Sequence, residues 1–368
     1  MDDIKPKKIV EDNVPQYLRK AYVDPDVRSH TVLTDTVFEY VEFFFKENKR
    51  ILKNSAGKKL SVDYMLFWQQ AANFYDAAKR LPIESAPLVM YYCMLNATKA
   101  YITYYSVGHA DEAIKNMRSH GVNECKNQVD KTNLSEIKIK HQDNGVFPYF
   151  SKIIDNGFSD VWEKETSFSV KELMETLAFI HNPYISTYNI ARKNERFIPV
   201  DINEPPTYYI CSDNKIHLIA HLQRSYFKKD AKTIPKDIEG SILKVFDVLE
   251  DVPFTIISKE GFEKTEIKEK SREYRKMFSS ISGNKRIWYL KRFSADCKTQ
   301  GINELSKIFA ITHRLSEIVR YKPEEFVKLL YGRENWIVHE FLNHALDQFI
   351  DELACEITKK EIMPTRIK

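Results

Sequence analysis

Apolar residues recur along this chain at two periods, and the change from one to the other divides it into regions. From Thr34 onward, Val37, Tyr40, Val41, Phe44 and Phe45 fall at spacings of three and four, which predicts a helix with one face against a core. A polar break over 54–59 separates it from a second helix predicted over 61–79, with Ser61 or Asp63 as its cap. After Pro82 and Pro87 a third helix is expected over 88–105, apolar nearly all round and therefore buried. Beyond His120-Gly121 the pattern shortens. Ile137 and Ile139 alternate with lysines before Asn144-Gly145, the pattern of a hairpin. A helix over 170–180 is predicted between a Ser169 cap and Pro183, followed by strands over 207–211 and 215–222 joined at Ser212-Asp213-Asn214. A further helix is expected over 238–249, with extended runs over 254–257 and 286–290. Helical spacing then returns: Leu305, Ile308, Phe309, Thr312, Leu315 and Ile318 share one face. A short helix should start at Pro323, a sound first-turn residue, and a long one should cover 334–358.

This order predicts a predominantly α-helical α+β protein. Residues 1–30, with Pro6, Pro15 and Pro25, read as an irregular lead-in. Residues 31–121 form an N-terminal helical half, 122–300 a mixed α/β insertion, and 301–368 a C-terminal helical half. Composition agrees: 43% hydrophobic and 12% aromatic residues can offset the entropy of ordering, and only 10 Gly disfavour a turn-rich barrel. The net charge of +4 makes any nucleic-acid footprint a local matter. No apolar run approaches the ~18 residues of a membrane span, and the N-terminus lacks a signal peptide's apolar segment. The five Cys are far apart, without C-x-x-C, and read as buried thiols of a cytoplasmic protein. No metal or other cofactor is expected.

Several segments resemble the YaaC-like family. Pro87-Leu88 leading to Tyr92-Cys93-Met94 and Lys99-Ala100 looks like its apolar helix, with Cys93 where Gly is common. His120-Gly121, Asn144-Gly145-Val146-Phe147-Pro148, Val170-Lys171-Glu172-Leu173-Met174 and Arg320-Tyr321-Lys322-Pro323-Glu324 follow in similar order. The family brings no settled activity. Its helices are similar to those of the HEPN superfamily, which are often dimeric and include metal-independent RNases of toxin or anti-phage systems. The resemblance therefore implies a HEPN-like helical core and RNA as a partner; the alternative is a non-enzymatic protein acting through a dimer or partner interface.

The HEPN signature is Arg, four to six residues, then His, and Arg333 and His339 meet it with five residues between. RNA carries its own nucleophile, the 2′-hydroxyl, so cleavage requires an acid or base of near-neutral pKa and a cation for the phosphate. His339 and Arg333 would fill those roles; a helix-terminal structural pair is the plainer reading. The zincin-like His339 and His344 are five apart and diverge on a helix, which argues against a metal. The most basic stretch holds Arg272, Arg275, Lys276, Lys285, Arg286, Lys291 and Arg292 with Trp288 among them, suited to phosphate contact and base stacking on single-stranded RNA. His217 and His221 would share a solvated strand face. Asn96, Lys99 and His120 are further polar candidates, the first two because polar groups on a buried helix need partners; His120 beside Gly121 would cap the preceding helix.

Overall fold

The computed structural model describes residues 6–53, 57–58, 63–106, 110–124, 133–155, 167–242, 245–249, 251–293 and 296–365. It divides into two compact units, each made from separated stretches of chain.

The larger unit, residues 36–188 and 298–358, is helical. Its helices are α1 (Val37–Glu47), α2 (Tyr64–Ala78), α3 (Ala86–Tyr105), α4 (Ala110–Asn116), α5 (Val146–Asp155), α6 (Val170–Met174), α7 (His181–Tyr188), α8 (Glu304–Tyr321), α9 (Pro323–Tyr331) and α10 (Asn335–Thr358). Helix ends leave backbone N–H groups without partners, and side chains close several of them. Asp63 accepts from the Met65 amide and Asn303 from the Leu305 amide, both at 2.8 Å. Ser169 and Glu172 form a reciprocal cap on α6. α3 lies at the centre, packed by α2, α8 and α10, which is why it carries apolar residues on every side. Phe45, Tyr64, Trp68 and Tyr104 make an aromatic core between α1, α2 and α3.

A small antiparallel sheet, Val122–Glu124, Lys138–His141 and Ser167–Ser169, completes this unit. The expected hairpin at Asn144-Gly145 does not form. Lys138–His141 pairs backward to Val122–Glu124, and Gly145 instead lets the chain turn into α5. The predicted 170–180 helix stops at Met174 and resumes as a 3-10 turn at Ala178–Ile180.

The second unit, residues 1–35, 189–297 and 359–368, holds the larger sheets. Five antiparallel strands lie in the order Lys7–Lys8, Thr207–Ile210, Ile216–His221, Thr255–Ser258, Phe246–Val248. Phe278–Ile281, Ile287–Lys291 and Phe197–Pro199 form a second sheet. The stretch read as an irregular lead-in thus supplies an edge strand, and Asp12 and Asn13, at φ 50° and 63°, make the tight turn of a two-residue hairpin. The helix expected over 238–249 covers only Lys236–Ile242; Phe246–Val248 is a strand, because its backbone pairs with Thr255–Ser258. Ile216–His221 is buried along five of its six residues, so His217 does not sit on a solvated face. Its Nδ1 and Nε2 meet the Ser258 carbonyl and the Asp213 carboxylate, at 2.8 and 2.9 Å.

The break at 54–59 lies largely outside the described residues, as does Cys125. Cys93, Cys211 and Cys355 are buried, and Cys297 is half-buried. Among the described residues no helix is long and apolar enough to cross a membrane.

Candidate functional site

In the helical unit, three segments place ionisable side chains close together. α3 supplies Tyr91 and Lys99, the turn after α4 supplies His120, and α8 supplies His313, Arg314, Glu317 and Arg320.

The turn bearing His120 is fixed by backbone rather than by its own side chain. Gly121 has φ +83° and Gly145 φ +132°, values that favour glycine. A Cβ on Gly145 would lie 2.5 Å from the Gly121 Cα, and one on Gly121 would lie 2.3 Å from Pro148 Cδ. The Val146 and Phe147 amides donate to the Ser119 and His120 carbonyls at 2.9 and 3.0 Å. Two of the segments noted in the sequence therefore clasp each other. α4 ends at Asn116, so His120 does not cap it; the Asn116 side chain instead accepts from the Gly145 amide at 3.2 Å.

His120 itself is exposed. Its Nδ1 is hydrogen-bonded to the Tyr91 hydroxyl. A phenol can donate or accept, so the imidazole can hold its proton on either nitrogen while keeping this partner. Burial pushes the Tyr91 hydroxyl far above its usual range, with Tyr92 and Glu317 adding to the effect; it stays a neutral phenol. Partial burial lowers the His120 pKa, and the charges of Lys99 and Arg320 lower it further. Burial likewise lowers Lys99, whose ammonium lies 5.7 Å from the Phe67 ring centroid. Arg320 is exposed and stacks on Tyr321, 4.3 Å from its centroid. Behind these groups His313 is 4% exposed, its ring edge-on to Tyr91 at 4.7 Å and 82°.

Burial, then the charges of His120, Arg314 and Arg320, bring His313 down to about 3. It is therefore neutral at physiological pH, and its 3.8 Å approach to Glu317 Oε2 is not an ion pair there. An imidazole that titrates lower in the folded chain than at the ordinary 6.5 binds its proton more readily when unfolded. Stability is thus full above 6.5 and is lost as pH falls toward about 3. His313→Gln is expected to flatten this part of the acid limb by a few kcal/mol, read from urea midpoints measured against pH.

The other sequence candidates fall elsewhere. Asn96 is buried and donates to the Tyr92 carbonyl at 2.8 Å, a bond within its own helix. Arg333 is exposed just before α10 and donates to the Thr187 carbonyl at 3.2 Å; His339 is half-buried on α10. Between them Glu334 is the tied residue, accepting from the Leu134 amide at 2.6 Å and from the Tyr188 hydroxyl.

The basic stretch in the sheet-bearing unit does not form the cationic, aromatic surface expected of it. Arg275, Trp288, Lys291 and Arg292 are buried. Arg275 donates to the Lys20 carbonyl at 2.9 Å and lies 3.9 Å over the Tyr22 ring. Arg292 donates to the Arg192 and Lys193 carbonyls, and Arg286 to Tyr17 and Thr31. Arg272 donates to the Val23 carbonyl, Lys276 is half-buried, and Lys285 is exposed. These guanidiniums close loops because each can satisfy several buried carbonyls at once.

Tyr91, His313, Arg314 and Glu317 were not singled out in the sequence. The available signal was His313-Arg314 set between the apolar Ile311 and Leu315 of a helix that must be buried. No group of three or more His, Cys, Asp or Glu among the described residues is arranged to hold a metal ion.

These features define a predominantly helical α+β protein whose helical unit presents an exposed histidine backed by a buried tyrosine, with two cationic side chains near enough for their charges to lower its pKa. The model of the family described as YaaC-like protein matches residues 34–357, and the chain belongs to that family. No curated protein and no solved structure matches it.

Proposed function

We propose that the helical unit is a HEPN-like, metal-independent RNA-cleaving or RNA-binding module, with His120 as its acid–base group. The observation that carries this is the setting of His120: exposed, held through Nδ1 by a buried phenol, and close enough to Lys99 and Arg320 for their charges to lower its pKa. A lowered pKa leaves the imidazole neutral at physiological pH, the form a general base needs. In the tautomer whose Nδ1–H donates to the Tyr91 oxygen, Nε2 has a free lone pair and takes the proton of the RNA 2′-hydroxyl as that oxygen attacks phosphorus. The P–O5′ bond breaks as the P–O2′ bond forms, leaving a 2′,3′-cyclic phosphate, and the departing O5′ takes a proton from water. Arg320 and Lys99 offset the charge that builds on the phosphoryl oxygens. A substrate bearing its own nucleophile suits a site that offers an acid–base group and cations. Arg333 and His339 remain the competing pair within the same unit.

The test is incubation of labelled RNA with the protein and its variants in EDTA. Cleavage that persists in His339→Ala and falls by ~10²–10⁴ in His120→Ala supports the reading. The opposite pattern moves the chemistry to Arg333 and His339. If the wild-type protein neither cleaves nor retains RNA, the proposal fails. A non-enzymatic interface is the second reading, favoured by Val327, Tyr331 and Trp336, which are exposed on α9 and the start of α10.

A further inference from the structure

The rings of Tyr91, His120 and His313 meet in a triangle, with centroids 5.5 Å apart for Tyr91 and His120, 4.7 Å for Tyr91 and His313, and 5.7 Å for His120 and His313. Only His120 reaches solvent. Tyr91 also packs against Phe309, edge-on at 5.7 Å. His313 is buried on a flank of the Tyr91 ring, where an apolar side chain would cost less. Its Nδ1 is buried without a hydrogen-bond partner, facing Glu317 Oε2 at 3.8 Å. Glu317 is itself held by Arg314 Nη1 at 2.8 Å. The chain of contacts runs from Arg314 through Glu317 and His313 to the ring of Tyr91, and from its hydroxyl to Nδ1 of His120.

We infer that Tyr91 and His313 are positioning residues that commit Nδ1 of His120 to the protein and leave Nε2 as the nitrogen that meets a ligand. Tyr91 acts through its hydrogen bond. His313 acts one step further back, by packing against the Tyr91 ring so that the hydroxyl stays on Nδ1. Without the phenol, both nitrogens of an exposed imidazole exchange protons with water and the ring rotates freely. With it, the ring has one inward nitrogen and one outward nitrogen. This inference rests on His120 being the working group of the proposed site, but the arrangement of its two nitrogens is a property of the folded protein and is read without substrate.

The experiment uses the full-length protein labelled with 15N at histidine. Long-range 1H–15N correlation spectra report the hydrogen bonding and tautomer of each ring nitrogen, and His120→Gln assigns the His120 signals. In the wild-type protein, His120 is expected to show distinct Nδ1 and Nε2 signals, with Nδ1 carrying the signature of a hydrogen bond. Tyr91→Phe keeps the packing and removes the hydroxyl, so the two signals should move toward those of a free imidazole. His313→Ala, which removes no hydrogen bond that His120 is seen to make, should do the same. His313→Phe restores a ring on that flank and should return the wild-type pattern.

If His120 gives the same signals in the wild-type protein, Tyr91→Phe and His313→Ala, the inference is overturned. If the variants shift His120 but the wild-type protein does not cleave RNA, the positioning stands and only the proposed reaction falls. Where cleavage is seen, Tyr91→Phe and His313→Ala should lower kcat with little change in KM, since neither residue is placed to touch the substrate. A loss confined to KM would contradict the assignment.

Discussion

Gly145→Ala is expected to destabilise the helical unit by ~3 kcal/mol or more and to release the turn that carries His120. Two independent costs combine. At φ +132° an L side chain is strained wherever it is placed. The added methyl would also sit 2.5 Å from both the Cα and the N of Gly121 and 3.0 Å from the His120 carbonyl carbon. All three are backbone atoms, so no rotamer change relieves the clash. Moving Gly145 away would break the bonds from the Val146 and Phe147 amides to the Ser119 and His120 carbonyls. Gly121→Ala should cost nearly as much, since its φ is +83° and Pro148 Cδ would lie 2.3 Å from the new carbon. Gly240 is the control. It lies in a helix of the other unit with nothing within 4 Å of its added carbon, so Gly240→Ala should gain ~0.5–1 kcal/mol. Guanidinium midpoints and amide exchange around 119–121 and 145–148 would check all three. A Gly145→Ala variant as stable as the wild type would contradict this account of the turn.

Phe309→Ala should be the most damaging single truncation in the core behind the site, at ~3–5 kcal/mol. Phe309 is fully buried on α8. Its ring lies against Phe147 at 5.8 Å and meets Tyr91 at 5.7 Å, with Phe150 and Phe349 each at 6.4 Å. The cavity left behind would border α3, α5 and α10 together, and helices that belong to several packing partners cannot all move in to fill it. Phe309→Leu should recover roughly half of the loss by refilling much of the volume. Hydrogen exchange in α3 and α8 would locate the effect, and the His120 turn should loosen with them through Phe147. Unchanged protection in α3 would show that Phe309 does not support Tyr91.

Helical spacing alone places α1, α2, α3, α8, α9 and α10 to within a few residues of where they lie, and the cap at Ser169, and that at Asp63 as one of two candidates, are legible because capping is a local interaction. The same spacing marks α3 as buried on all sides, and the residues that carry the family likeness include Lys99, His120 and Arg320, three of the charged groups that come together. Sheet pairing was less accessible. Asn144-Gly145 has the composition of a hairpin turn, yet it serves a helix start, because Gly145 is needed for its close approach to Gly121, 24 positions earlier in the chain.

Periodicity and caps act over a few residues, so an isolated chain already contains the information for its helices and for which face of each is apolar. Whether a cation faces solvent depends on contacts hundreds of positions away: Arg275 is consumed by the carbonyl of Lys20, and a basic segment becomes core. The meeting of Tyr91, His120 and His313 is of the same kind. No local pattern brings positions 91 and 313 within 5 Å; only the packing of α3 on α8 does, driven by the apolar area the two helices remove from water.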